Sequence, residues 1–269
     1  MTSQVKKVTL FLGTPRKGAT YQAVQEFVAN LNTYTEIDWE YVCLNDYNLN
    51  TGKCKGCKLC FNKGEEYCSF NDDRDLLLEI MNNSDGVVLA TPNYSFQVTA
   101  LMKNFIDRLS FVLHRPRFFG KALTVIVAQG VFGGSSIVKY LESVGGDWGF
   151  QVVKGCCLTA IEPRTVVEQE KITQEIKKAA ARFYKGLMRP TLPAPSFFRL
   201  FKFRISRTMM MGIQDETYRD YRYYKEKGWD KSDYYYDVSL GFIKKLTGRF
   251  IDYLGNRMVA KRKTMTLVN

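Results

Sequence analysis

A short apolar run followed at once by a turn rich in glycine and hydroxyls, residues 8–21 (VTLFLGTPRKGATY), constrains the fold of this chain more than any other stretch. Val8, Leu10 and Leu12 alternate with Thr9 and Phe11, which is how a strand covered on both faces of a parallel sheet reads. The turn is Gly13-Thr14-Pro15-Arg16-Lys17-Gly18-Ala19-Thr20, and Ala23, Val24, Phe27, Val28 and Leu31 then recur at helical spacing. A strand, a turn and a helix start aim backbone N–H groups and the positive helix end at one point. Thr14, Thr20 and Arg16 can add hydrogen bonds, so the stretch predicts an anion site. It contains neither G-x-G-x-x-G nor G-x-x-x-x-G-K-[ST], which excludes the dinucleotide fingerprint and the P-loop. A plain turn is the alternative.

Further along, strands are predicted over residues 37–44, 86–91, 122–128 and 150–158, with residues 45–50 as a polar loop. Helices are predicted after Asp72-Asp73 (apolar face Leu76, Leu77, Ile80, Met81), from near Thr99, after Ser135-Ser136 through Val144 and over 169–188. Five strands alternating with five helices predict an α/β, doubly wound five-stranded parallel sheet of flavodoxin-like order. Ligands of such sheets bind beyond the carboxyl ends of the strands. The loops after strands one, three and four therefore converge on one edge. They are residues 13–20, Pro92-Asn93-Tyr94-Ser95-Phe96-Gln97, and Gln129-Gly130-Val131-Phe132-Gly133-Gly134.

The formal net charge is +12. Residues 190–269 hold 16 Lys+Arg and 8 Asp+Glu, so +8 sits in the tail and +4 in the rest. The excess belongs to an appendage and says little about the main site. No stretch nears the roughly 20 apolar residues that span a bilayer. With no leader ahead of the first strand, a cytoplasmic location is expected. Prolines 190, 193 and 195 mark a boundary, giving residues 1–189 as one domain and 190–269 as a basic, aromatic-rich, mainly helical extension.

Four stretches together resemble the NAD(P)H-dependent FMN reductase and iron–sulfur flavoprotein group of the flavodoxin-like superfamily. Residues 13–20 resemble the family's G-S-P-R-K-x-G-N-T phosphate loop, with Thr14 for Ser, Ala19 for Asn and one residue fewer. Cys54-Lys55-Gly56-Cys57-Lys58-Leu59-Cys60 with Cys68 and Asp72-Asp73 resembles its cysteine segment. Ala90-Thr91-Pro92-Asn93-Tyr94 with residues 102–108 (MKNFIDR) resembles its S-P-x-Y…K-x-x-x-D-R stretch, and Gln129-Gly130 with Gly133-Gly134 its third flavin loop. The resemblance covers roughly residues 7–187. It implies FMN held by Thr14, Arg16, Gly18, Thr20, Tyr21, Pro92, Asn93, Tyr94, Ser95, Phe96, Gln129, Gly130, Gly133 and Gly134. Tyr94 or Phe96 would stack on the ring. Hydride transfer from NADH or NADPH needs no protein acid or base, so no catalytic side chain is expected. Asp107-Arg108 reads as an ion pair at a helix end, and His114 as an exposed loop residue.

Cys54-x2-Cys57-x2-Cys60-x7-Cys68 resembles the motif that ligates a 4Fe-4S cluster in iron–sulfur flavoproteins, with Lys53, Lys55 and Lys58 to offset its charge. Zinc and free thiols are the alternatives. Cys43 reads as strand core, and Cys156-Cys157 as buried thiols.

In the extension, residues 196–211 read as a basic amphipathic helix, residues 218–236 hold seven tyrosines and Trp229, and residues 238–259 place Ile243, Leu246, Phe250, Leu254 and Met258 on one apolar face. These are expected to pack on the sheet domain or a sister subunit, in a homodimer or homotetramer. A membrane surface ranks below that, and nucleic acid is not expected. The leading function is an FMN-dependent NAD(P)H oxidoreductase passing electrons to a quinone, free flavin or nitro compound. The alternative is an iron–sulfur flavoprotein that carries electrons between protein partners.

Overall fold

A computed structural model describes residues 5–49 and 54–266, without the side chains of 263–266. Asn50 and Lys53, named above, lie outside the described residues. In chain order the first elements are β1 (Lys6–Leu12), α1 (Ala19–Asn32), β2 (Ile37–Cys43), α2 (Leu59–Asn62), α3 (Arg74–Asn82), β3 (Gly86–Pro92), α4 (Ala100–Arg108) and α5 (Ser110–His114). They are followed by β4 (Ala122–Gln129), α6 (Gly134–Asp147), β5 (Gln151–Val152), β6 (Cys156–Thr159), α7 (Val166–Leu187), α8 (Phe197–Ile213), α9 (Arg219–Glu226) and α10 (Phe242–Thr266). The chain divides into two compact units: Met1–Gly56 with Phe70–Pro190, and Cys57–Ser69 with Thr191–Asn269. The short segment Cys57–Ser69 thus groups with the C-terminal residues.

The first unit is a parallel sheet in the order β2-β1-β3-β4-β5, with β6 also pairing with β4. It is the flavodoxin-like doubly wound arrangement. Val8, Leu10, Phe11 and Leu12 of β1 are fully buried, as are Val87, Val88, Leu89 and Ala90 of β3. Each large apolar side chain so buried contributes about 1.5–3 kcal/mol. The register pairs Leu12 with Ala90 and Ala90 with Ile126, so the carboxyl ends of β1, β3 and β4 lie side by side.

Four local expectations are corrected. The fifth strand is not continuous over residues 150–158 but splits into β5 and β6. Its break includes Gly155, where a Cβ would lie 2.4 Å from the Val125 carbonyl oxygen, and its N–H donates instead to Glu142 Oε1 at 2.7 Å. On α3 the buried residues are Arg74, Leu77, Leu78 and Met81, and Leu76 is exposed. Three consecutive leucines leave the face ambiguous by one position, and the i, i+3, i+4, i+7 set wins. His114 is exposed but ends a helix rather than lying in a loop. Arg108 is buried and pairs with Asp72 at 2.9 Å, their side chains 3% and 1% exposed. Asp107 pairs separately with Lys103.

The second unit is helical. Its α8 and α10 lie side by side and run in the same direction: Arg204 meets Gly248 and Asp252, Thr208 meets Gly255, and Gly212 meets Val259. The apolar face singled out on α10 is not the one that meets α8. Ile243, Leu246, Phe250, Leu254 and Met258 are exposed, whereas Ile251 is buried and Gly248 and Gly255 adjoin α8. Seven residues apart, these glycines share a helix face and let the backbones approach closely.

Candidate functional site

The first loop begins where β1 ends. Gly13 N–H donates to the Ala90 carbonyl at 2.8 Å, and its own carbonyl accepts from Thr99 Oγ1 at 2.7 Å. A Cβ here would meet Met102 Cβ at 2.9 Å, so only glycine lets β1 pass under the start of α4. Thr14 is buried and its hydroxyl accepts from the Arg16 N–H two residues on, which turns the chain. Gly18 is the N-cap of α1; it supplies no capping side chain, and the first turn holds no acidic residue. Nothing lies within 4 Å of where its Cβ would be. The positive end of a 14-residue helix therefore faces open space unneutralised, as an anion cradle requires.

The second loop follows β3. Ser95 (φ 50°) and Phe96 (φ 65°) are both left-handed, and Tyr94 and Gln97 exchange two backbone hydrogen bonds of 3.0 Å around them. Two such non-glycine residues cost about 1–2 kcal/mol each. The conformation is held from outside: Asn93 N–H donates to the Ala128 carbonyl at 2.8 Å, and Asn93 Nδ2 to the Phe132 carbonyl at 2.9 Å. Asn93 Oδ1 is buried and has no hydrogen-bond partner among the described residues. Arg16 reaches the Tyr94 hydroxyl at 3.3 Å, linking the first two loops.

The third loop follows β4. Gln129 Nε2 donates to Thr159 Oγ1 at 3.0 Å and its Oε1 accepts from the Gly134 N–H at 2.7 Å, so its amide braces the loop. Gly133 has φ 95°, and a Cβ there would lie 2.6 Å from Phe96 Cδ1. The Phe96 and Phe132 rings stack with centroids 5.4 Å apart, and both are mostly exposed.

These segments line an open cleft of about 220 Å³. Thr14, Arg16, Gly18 and Thr20 line it from the first loop, Pro92, Asn93 and Tyr94 from the second, and Gln129 and Gly130 from the third. Of the other expected residues, Tyr21 packs instead on Tyr41 with ring centroids 5.4 Å apart, Ser95 shapes the second turn, and Phe96, Gly133 and Gly134 stand behind or beside the lining. Ala19, Ala128 and Ala160 line the cleft without having been singled out. The fourth wall, Ala160, follows β6; alanine has no motif, and only the position of a fifth strand end on the same edge signals it.

Comparison with known proteins identifies the setting. The family model described as NADPH-dependent FMN reductase matches residues 6–162, more than half of the chain. The chain belongs to the NADPH-dependent FMN reductase family. An iron–sulfur flavoprotein of Archaeoglobus fulgidus is 29% identical over 225 residues, 83% of this chain and 99% of that one. An FMN-dependent NADH:quinone oxidoreductase of Metamycoplasma arthritidis is 25% identical over 205 residues, 66% of this chain and 100% of the relative. Among solved structures, azoreductase from Bacillus anthracis shares the fold at TM-score 0.54 and 16% identity, covering 67% of this chain and all of that one.

The cleft of this FMN reductase family member fits its flavin. The uncapped α1 N-terminus suits a phosphate. The buried, unpartnered Asn93 oxygen suits an N–H at the edge of a flavin ring.

The cysteine segment is different. Cys54 and Cys57 are exposed, Cys60 and Cys68 half-buried, and none is in a disulfide. Among the described residues no group of three or more His, Cys, Asp or Glu is placed to hold a metal ion. Behind the third loop, burial pushes the Cys156 thiol up to about 12, and it raises Cys157 as well, so both stay protonated. Burial likewise raises Cys43, which is half-buried in β2.

Proposed function

We propose that this chain is an FMN-dependent NAD(P)H oxidoreductase whose electron acceptor is a small planar molecule, a quinone, a free flavin or a nitro compound. One observation carries the reading: an uncapped helix end and an unpartnered buried Asn93 oxygen line a single cleft, beside an exposed pair of stacked rings. FMN, when bound, supplies the chemistry, accepting a hydride from NADH or NADPH and delivering two electrons to the acceptor. The chain's residues do the holding. The α1 N-terminus, Thr14, Thr20 and Arg16 attract the phosphate, while Asn93 orients the ring edge. The Pro92–Phe96 and Gln129–Gly134 backbones shape a slot, and Phe96 and Phe132 offer aromatic faces at its mouth. No side chain is assigned as acid or base. Residues 1–189 as the flavin domain, 190–269 as an extension, a homo-oligomeric state and a cytoplasmic location are part of the same proposal. Anaerobic stopped flow tests it: rapid bleaching of the flavin by NADH or NADPH, then recolouring by a quinone, is expected. A flavin that only a reduced protein bleaches would overturn it.

That last result would favour a second reading, an electron carrier with a 4Fe-4S cluster on Cys54, Cys57, Cys60 and Cys68. The name of the Archaeoglobus relative, matched over nearly its whole length, supports it. Among the described residues no group of three or more His, Cys, Asp or Glu is placed to hold a metal ion, so no electron path through a cluster is drawn. Absorbance of anaerobically purified protein with iron and sulfide assay decides.

A further inference from the structure

The apolar stripe of α10 is a surface in search of a non-aqueous neighbour. Phe242, Ile243, Leu246, Phe250, Leu254 and Met258 share one face over about four turns and are between 37% and 81% exposed. The seam that α10 offers to α8 is a different one, Gly248, Ile251 and Gly255. Within its own unit, then, this helix packs two glycines and Ile251 and presents most of its large apolar residues. At the start of α8, Phe197, Phe198 and Phe201 are exposed as well.

Charge says what the neighbour is. Residues 242–266 contain seven lysines and arginines and one acid, Asp252. That acid is already engaged by Arg204 and Arg207. Lys245 and Arg249 are exposed beside the stripe, and Arg257 is exposed within it. Helix α8 has four basic residues, Arg199, Lys202, Arg204 and Arg207, and no acidic one. A second copy of this surface would bring two basic strips face to face, which is repulsive. A nucleic acid would meet the cations but leave Ile243, Leu246, Leu254 and Met258 in water. A bilayer with anionic headgroups satisfies both: apolar side chains enter the acyl boundary while lysine and arginine stay among the headgroups. No helix among the described residues is long and apolar enough to cross a membrane, so contact would be in the plane.

We propose that the exposed face of α10 docks this protein on the surface of an anionic lipid bilayer. The test is flotation of the full-length protein with vesicles of phosphatidylcholine alone and of phosphatidylcholine mixed with phosphatidylglycerol, at low and high salt. Selective binding to the anionic vesicles, weakened by salt, is expected. Ile243→Ser with Leu246→Ser should lower it more than tenfold, and Lys245→Glu with Arg249→Glu should abolish the preference for phosphatidylglycerol. Both positions of each pair are exposed, so folding, followed by circular dichroism, and FMN binding should be unchanged. Binding that ignores lipid charge, or survives the serine pair, would overturn the proposal. So would absent vesicle binding together with a dimer that the serine pair dissociates, or tighter binding to an oligonucleotide than to the vesicles.

Discussion

Asn93 donates through Nδ2 to the carbonyl oxygen of Phe132, 2.9 Å away and 39 residues further along the chain. This bond ties the loop after β3 to the loop after β4, and its other amide atom is the buried oxygen left without a partner. One side chain thus ties two loops together and carries an unused acceptor beside the cleft it lines. Asn93→Ala removes both, at a cost of about 1–2 kcal/mol. FMN affinity, read by quenching of flavin fluorescence, is expected to fall roughly five- to thirtyfold. An unchanged affinity would remove Asn93 from the site.

Gly18 caps α1 with no side chain of its own and with room for one. Gly18→Asp should therefore be accepted by the fold, since aspartate is a good N-cap. It would set a carboxylate where the phosphate is proposed to sit. FMN binding should weaken at least tenfold while riboflavin, lacking the phosphate, binds as before. Equal losses for the two ligands would mean that the phosphate lies elsewhere.

Arg108 and Asp72 are paired out of water, through hydrogen bonds of 3.0 and 2.9 Å from Nε and a terminal guanidinium nitrogen. Removing one partner strands the other charge. Asp72→Ala is expected to cost about 3–5 kcal/mol in urea unfolding, whereas replacing both residues by apolar ones of similar size should cost far less.

Asp85 lies at the opposite, amino-terminal edge of the sheet. Burial favours its neutral form, but hydrogen bonds from Lys6 Nζ and the Lys7 N–H, with the charges of Lys6 and Lys121, outweigh that and lower its pKa. A carboxyl whose pKa is lower folded than unfolded stabilises the fold above about pH 4 and loses that contribution as pH falls through the folded value. The stability gap between the parent and Asp85→Asn should be full at pH 7 and close on acidification. A gap that widened below pH 4 would contradict the sign.

The sheet was legible because β1, β3 and β4 are covered on both faces, and such strands leave apolar runs that few other structures produce. The three cleft loops were legible for a related reason: topology alone puts them at the carboxyl edge. What escaped were features set by contacts. Neither Ser95 nor Phe96 advertises a left-handed backbone, as glycine or asparagine would. The split of the fifth strand depends on Gly155 pressing against Val125. The packed side of α10 was missed because a search for large apolar residues passes over Gly248 and Gly255, and the neighbour's closeness is what makes them matter.

The same-direction pairing of α8 and α10 has a topological cost. After Ile213 the polypeptide must travel back along the whole of α8, about 25 Å, before α10 can start. The strand of chain between them is therefore a tether whose reach selects the handshake. Deletions that left it shorter than that span would flip α10 end for end, and the notches at Gly248 and Gly255 would no longer meet Arg204 and Thr208.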